Sequence, residues 1–146
     1  VNYKLISAKN FNIASASAAT YYNKLRSQEV AQLDFEKEIR RATLDKMIEN
    51  ELIYEEVGVT EVDSQLASLI AQNKDIERSS VLAYGIPWDN FKELVLRPQV
   101  AEEILKKKLQ GLKLDFNGWL KRKKTDARVF LLVGDFKWRG EKVELR

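Results

Sequence analysis

Hydrophobic residues recur along most of this chain at intervals of three and four, the spacing that turns one face of an α-helix toward a core. Ser7 is placed to cap a first helix running to about Gln28, with Ala8, Phe11, Ala14, Ala18, Tyr21, Tyr22 and Leu25 near a 3.6-residue period. Within it, Ala14–Ala19 holds only Ala and Ser. Such small side chains let another helix come close or leave a shallow groove. Asp34 is expected to cap a second, stronger helix to about Val57, whose stripe is Phe35, Ile39, Ala42, Leu44, Met47, Ile48, Leu52 and Ile53. Glu36–Arg40 and Glu38–Arg41 support its outer face, whereas Asp45–Glu49 is like-charged and mildly unfavourable. Gly58 suits the position after a helix end. Thr60, with Asp63 three residues on, reads as the capping pair of a third helix carrying Val62, Leu66, Leu69 and Ile70 and ending near Asn73.

Ile76–Tyr84 reads as a short helix closed by Gly85, and Pro87 suits the first position of the next, with Trp88, Phe91, Leu94 and Val95 following. Pro98 predicts a kink or a restart near Arg97. The helical pattern resumes through Val100, Ile104, Leu105, Leu109 and Leu112, and a last short helix spans Asp115–Lys124 with Phe116, Trp119 and Leu120. The pattern then changes. Ala127–Val133 is β-branched and aromatic and predicts a strand, while Phe136–Trp138 and Lys142–Leu145 around Arg139-Gly140-Glu141 predict a hairpin. Val1, Tyr3 and Leu5 share a face at period two, so the segment Val1–Ile6 is expected to add an edge strand. The reading is a mainly α fold: five to six helices around one core with a small terminal β-sheet, made of the N-terminal strand and the C-terminal hairpin. It forms a single domain over 1–146, helical over 7–124 with a β-hairpin tail over 127–146.

Composition narrows the chemistry. The 146 residues include no Cys and no His, which excludes disulfides, thiolate nucleophiles, zinc fingers and a Ser-His-Asp triad. The six Gly are scattered, so no P-loop or GxGxxG motif occurs. Glu55, Glu56, Glu61 and Asp63 gather near one helix–helix turn, but on expected exposed helix ends and without an Asx-rich loop, so they read as solvated carboxylates rather than an acid/base pair or a metal site. The expectation is no catalytic residues, no metal and no cofactor. Apolar runs are as short as Val129–Val133, and none reaches transmembrane length. Charge is divided unevenly. Residues 1–96 carry 11 basic and 15 acidic side chains, net −4, and residues 97–146 carry 14 and 7, net +7. Lys106–Lys108 and Lys121–Lys124 are the densest basic runs. They read either as solvated helix faces beside Glu102 and Glu103 or as a surface for nucleic acid or an anionic membrane.

Several segments, taken in order, resemble a known family. Leu44–Glu56, with the sequence LDKMIENELIYEE, runs into Gly58-Val59-Thr60-Glu61-Val62-Asp63. Further on comes Tyr84-Gly85-Ile86-Pro87-Trp88-Asp89-Asn90-Phe91, and the chain opens with Val1-Asn2-Tyr3-Lys4-Leu5-Ile6 before Phe11. This series is similar to the N-terminal chaperone domain of SurA-like and PrsA-like proteins over most of residues 1–124. It departs from the family where Tyr3 replaces a glycine, where Pro87 replaces a serine, and in the shortened turn around Gly58. The resemblance implies a holdase-type chaperone for unfolded or nascent client polypeptides, working outside the cytoplasm. A chain that opens on Val1 is then expected to be a mature or trimmed form. Many members also carry a parvulin prolyl isomerase domain that commonly uses a pair of His. With no His and 146 residues, this chain is expected to lack it.

The residues expected to hold a client are Tyr84, Trp88, Phe91, Leu94 and Tyr22, an aromatic and aliphatic group around Gly85-Ile86-Pro87 and the Ala/Ser stretch. The competing reading makes Trp88 and Phe91, spaced i, i+3, part of the core. Of Tyr21 and Tyr22, adjacent on one helix, at most one is expected to be buried. Two further functional readings stay open: a basic helical binder of nucleic acid or anionic surfaces, and an oligomeric scaffold or homodimer joined through its terminal strands.

Overall fold

The computed structural model describes residues 5–25 and 32–146. In chain order it contains helices α1 (Ala8–Leu25), α2 (Gln32–Val57), α3 (Val59–Gln72), α4 (Ile76–Tyr84) and α5 (Trp88–Phe91). A π-helical stretch (Lys92–Leu96) then leads into α6 (Arg97–Gly111), and α7 (Phe116–Asp126) precedes strands β1 (Phe136–Trp138) and β2 (Val143–Leu145). The fold is mainly helical with a small two-stranded antiparallel sheet. Phe136 pairs with Leu145, Lys137 with Glu144 and Trp138 with Val143. Of the expected N-terminal strand, residues 1–4 lie outside the described residues, and Leu5 and Ile6 precede α1 without forming a strand.

Ser7 caps α1 as expected, its Oγ accepting the Asn10 N–H at 3.0 Å. Asp34 does not cap α2: the helix already starts at Gln32, so Asp34 lies in the first turn, where a carboxylate favours the dipole. Gly58 alone separates α2 from α3. Its φ of 88° and ψ of 143° suit glycine, and they begin α3 at Val59 rather than at Thr60, which makes no cap. Pro87 is the N-cap of α5 rather than its first helical residue.

Pro98 produces the expected interruption in an unexpected form. The helix runs on through it, but the π-helical stretch lets the Arg97 N–H reach back five residues to the Lys92 carbonyl. Proline has no N–H and crowds the carbonyl four residues back, and the wider turn absorbs that conflict. The α6 C-terminus is closed by two bonds, Leu114 N–H to Leu109 C=O at 2.9 Å and Lys113 N–H to Gln110 C=O at 3.0 Å. This Schellman arrangement puts Lys113 at φ 57°, a left-handed site usually given to glycine.

The apolar interior falls into two clusters rather than one. The larger joins Ile53 and Val57 of α2, Val62 and Leu66 of α3, Phe91, the buried face of α6 and Trp119 of α7. The smaller joins Phe11, Leu44 and Ile48 to Phe136 and Val143 of the hairpin. Val129, Leu131 and Val133 pack against this second cluster, whereas Phe130 and Leu132 face solvent. Residues 127–133 are therefore extended with alternating faces, but they are not a strand, because they pair with no other segment among the described residues.

Candidate functional site

A groove of about 670 Å³ opens between α1 and α2 and is closed at one end by the α4–α5 corner and the π-helical stretch. Its α1 wall is the small-residue run: Ala14, Ser17 and Ala18, followed by Tyr21 and Tyr22. Ile39, Ala42, Met47, Asn50 and Tyr54 form the α2 wall. Tyr84, Ile86, Leu94, Val95 and Pro98 close it from the far side. Small side chains on one helix keep the two helices from filling the space between them, so the groove follows from the Ala/Ser composition of α1.

The aromatic rings run as a continuous series from the groove into the core. Tyr21 stacks on Tyr84 at 4.7 Å and 20°, and Tyr84 meets Phe91 at 4.8 Å. Phe91 in turn stacks with Trp88 at 6.2 Å. This series ties α1 to the α4–α5 corner and fixes the groove's aromatic end. Of the five residues expected to hold a client, Tyr22, Tyr84 and Leu94 line the groove. Trp88 and Phe91 do not. Phe91 is buried in the larger cluster and Trp88 packs against it, as their i, i+3 spacing on one helix favours. Tyr21 is half-buried and Tyr22 is 48% exposed, so neither adjacent ring is fully covered.

Sequence reasoning missed Tyr54 and Asn50, whereas Tyr21, beside the Ala/Ser stretch, lines the groove with Tyr22. Burial holds the Tyr54 hydroxyl well above its ordinary value; nearby Arg97 opposes this, and Glu51 and Glu93 add to it. Asn50 lines the groove with its Oδ1 out of water and without a hydrogen-bond partner, an acceptor that an incoming N–H would satisfy. Nothing in its spacing marks it, since Asn is common on exposed helix faces.

Charged groups at the groove's edge are already engaged. Arg97 hydrogen-bonds Asp63 of α3 and donates to Glu93 Oε2 at 2.9 Å. Burial works against its charge, but these two carboxylates raise it above the ordinary arginine value. Lys46 lies 3.4 Å from both Glu49 and Glu102. Asp63 is held by Arg97 and Glu56 faces Lys123 at 3.9 Å, so these two carboxylates near the α2–α3 turn are engaged by different cations. Among the described residues no group of three acidic side chains is placed to hold a metal ion, and no helix is long and apolar enough to cross a membrane. The arrangement is thus a largely apolar groove with hydroxyl and amide groups at intervals and charged side chains along its edge, suited to a chain that presents both apolar side chains and backbone polar groups.

No family model, curated protein or solved structure matches this chain.

Proposed function

We propose that this chain is a non-catalytic, holdase-type module that binds unfolded or extended apolar polypeptide segments outside the cytoplasm. The observation that carries this reading is the groove of about 670 Å³, walled by small residues on α1 and by tyrosines from three helices. Tyrosine offers apolar area with a hydroxyl at its edge, which suits partners of varied sequence. The motif order shared with SurA-like domains supports both the client class and the extracytoplasmic setting.

The test is suppression of aggregation. The protein is expected to keep a thermally unfolding client in solution and to bind unfolded peptides. Ala18 is half-buried on the groove wall, so Ala18→Trp fills the groove without entering either core cluster. This variant is expected to keep the wild-type circular dichroism and lose roughly tenfold in peptide affinity, about 1.4 kcal/mol. A wild-type protein that suppresses no aggregation, or an A18W protein that binds as well as wild type, removes the proposal.

A further inference from the structure

The corner between α6 and α7 has a surface that the groove does not explain. Along α6 the apolar positions Ile104, Leu105 and Leu109 are buried. The stripe then outruns the core: Leu112 is 64% exposed and Leu114 44% exposed. Both sit on the turn set by the Schellman bonds, on either side of the left-handed Lys113. The two leucines thus form an exposed apolar point on an ordered turn, and what distinguishes it from other exposed apolar residues is the charge beside it.

The charge around these leucines is selective. Most lysines of residues 97–146 are engaged. Lys106 meets Glu102 at 2.8 Å and lies over the Phe116 ring, Lys121 faces Glu141, Lys123 faces Glu56, and Lys124 is held by Glu49. Lys107, Lys108 and Lys113 have no acidic partner among the described residues, and all three are exposed. Lys108 precedes Leu112 by four residues, one helical turn. Of the nearby acidic residues, Asp115 is occupied in capping α7, with its Oδ2 accepting the Gly118 N–H at 2.8 Å. Glu103, one turn before Lys107 on α6, makes no ion pair with it.

We infer that this corner docks the protein on an anionic lipid surface. Leu112 and Leu114 enter the interfacial region of the bilayer, and Lys107, Lys108 and Lys113 meet the headgroup charge. Lysines alone would serve any polyanion, but the exposed leucines favour a lipid surface, since nucleic acid offers an aliphatic side chain far less apolar area. The net charge of +7 over residues 97–146 orients that part of the chain toward the same surface.

The experiment is cosedimentation of the whole chain with vesicles of equimolar phosphatidylglycerol and phosphatidylcholine, beside vesicles of phosphatidylcholine alone. Binding is expected to the anionic vesicles only. The triple variant K107Q/K108Q/K113Q is expected to lower partitioning roughly a hundredfold, about fivefold per lysine. The double variant L112S/L114S is expected to lower it roughly tenfold or more. Circular dichroism melts establish that both variants fold. Because the chain has no Cys, Leu112→Cys carrying an environment-sensitive dye reports insertion directly, with a blue shift expected on anionic vesicles. No binding to anionic vesicles, or wild-type binding by L112S/L114S, overturns the inference. So does retention on duplex DNA or heparin that the leucine changes leave untouched while vesicles fail to bind, an outcome that assigns the lysines to a different polyanion.

Discussion

Lys124 shows how one residue can reverse the meaning of its neighbours. Asp45 and Glu49, one turn apart on α2, read as a repulsive pair. In the fold Lys124 of α7 reaches Glu49 at 2.8 Å and Asp45 at 3.6 Å, with only 10% of its side chain exposed. It is also the one member of the Lys121–Lys124 run that is buried. Asp45 is further fixed by accepting the Val143 N–H at 3.0 Å, so the same carboxylate holds α7 and β2 against α2. A buried ion pair is weak evidence of net stabilisation, but removing one partner leaves the other charge stranded. Lys124→Met keeps the length of the aliphatic stem and leaves two carboxylates facing each other. It is expected to cost about 3 kcal/mol of unfolding free energy, measured by urea denaturation. Replacing all three by apolar residues, in K124M/D45L/E49L, is expected to recover most of that loss if the Val143 N–H finds water. A K124M protein as stable as wild type would mean that solvent already screens the pair.

Among the elements, the C-terminal hairpin forms where the sequence predicts it, over Phe136–Trp138 and Val143–Leu145, but its burial is not written locally. Read along the chain it looks like a tail after the last helix, yet Phe136 is 1% exposed and Val143 fully buried. Phe136 meets Phe11 edge-on at 6.2 Å, and Arg41 of α2 donates to the Val143 carbonyl at 3.0 Å. The hairpin therefore supplies two of the five buried residues of the smaller core cluster and covers Phe11, Leu44 and Ile48. Phe136→Ala is expected to cost about 3–5 kcal/mol and to lower the denaturation midpoint of the whole transition rather than release the hairpin separately. Coincident near- and far-ultraviolet circular dichroism transitions would check that. Periodicity made most helices legible, because a 3.6-residue stripe is written locally. The caps of α2 and α3 were less so, since Asp34 and Thr60 are equally comfortable one or two places inside a helix. The β-branched and aromatic composition of 127–133 marked extended chain but not pairing, because composition does not record where the backbone bonds go. The site divides the same way. Aromatic clustering pointed to Tyr22, Tyr84 and Leu94, but nothing local could tell that Phe91 turns inward or that Tyr21 stacks across onto Tyr84.

At the scale of the molecule α2 is the hub. It packs against α1, α3, α6, α7 and β2, and several of these contacts carry charge: Lys46 to Glu102 of α6, Glu56 to Lys123, Glu49 to Lys124 and Arg41 to the hairpin. Stability should accordingly depend on pH, and its limits follow from the shifted groups. Burial works to raise the Glu102 carboxyl, but hydrogen bonds from Lys106 and Lys46 and their charges win and hold it below its ordinary value of 4.5. Its contribution is therefore complete above that value and is lost as pH falls through the lower folded value. Glu38 is held down by Arg41 in the same sense, but it is largely exposed and solvent screens the pair. The raised arginines, Arg41 and Arg97, keep their charge across this range and add no slope. Tyr54 sets the opposite limit. Burial favours its neutral form in the fold, so above its ordinary value of 10.0 the unfolded chain ionises first and stability declines. Thermal melts from about pH 3 to about pH 11 should thus give a plateau with two falling limbs. Glu102→Gln is expected to lower the plateau and converge on wild type in acid, whereas Tyr54→Phe should leave the acid limb alone and flatten the alkaline one. Parallel curves for wild type and E102Q down to about pH 3 would show that the α2–α6 contact is held by packing alone and that Lys46 and Lys106 add no pH-dependent stability.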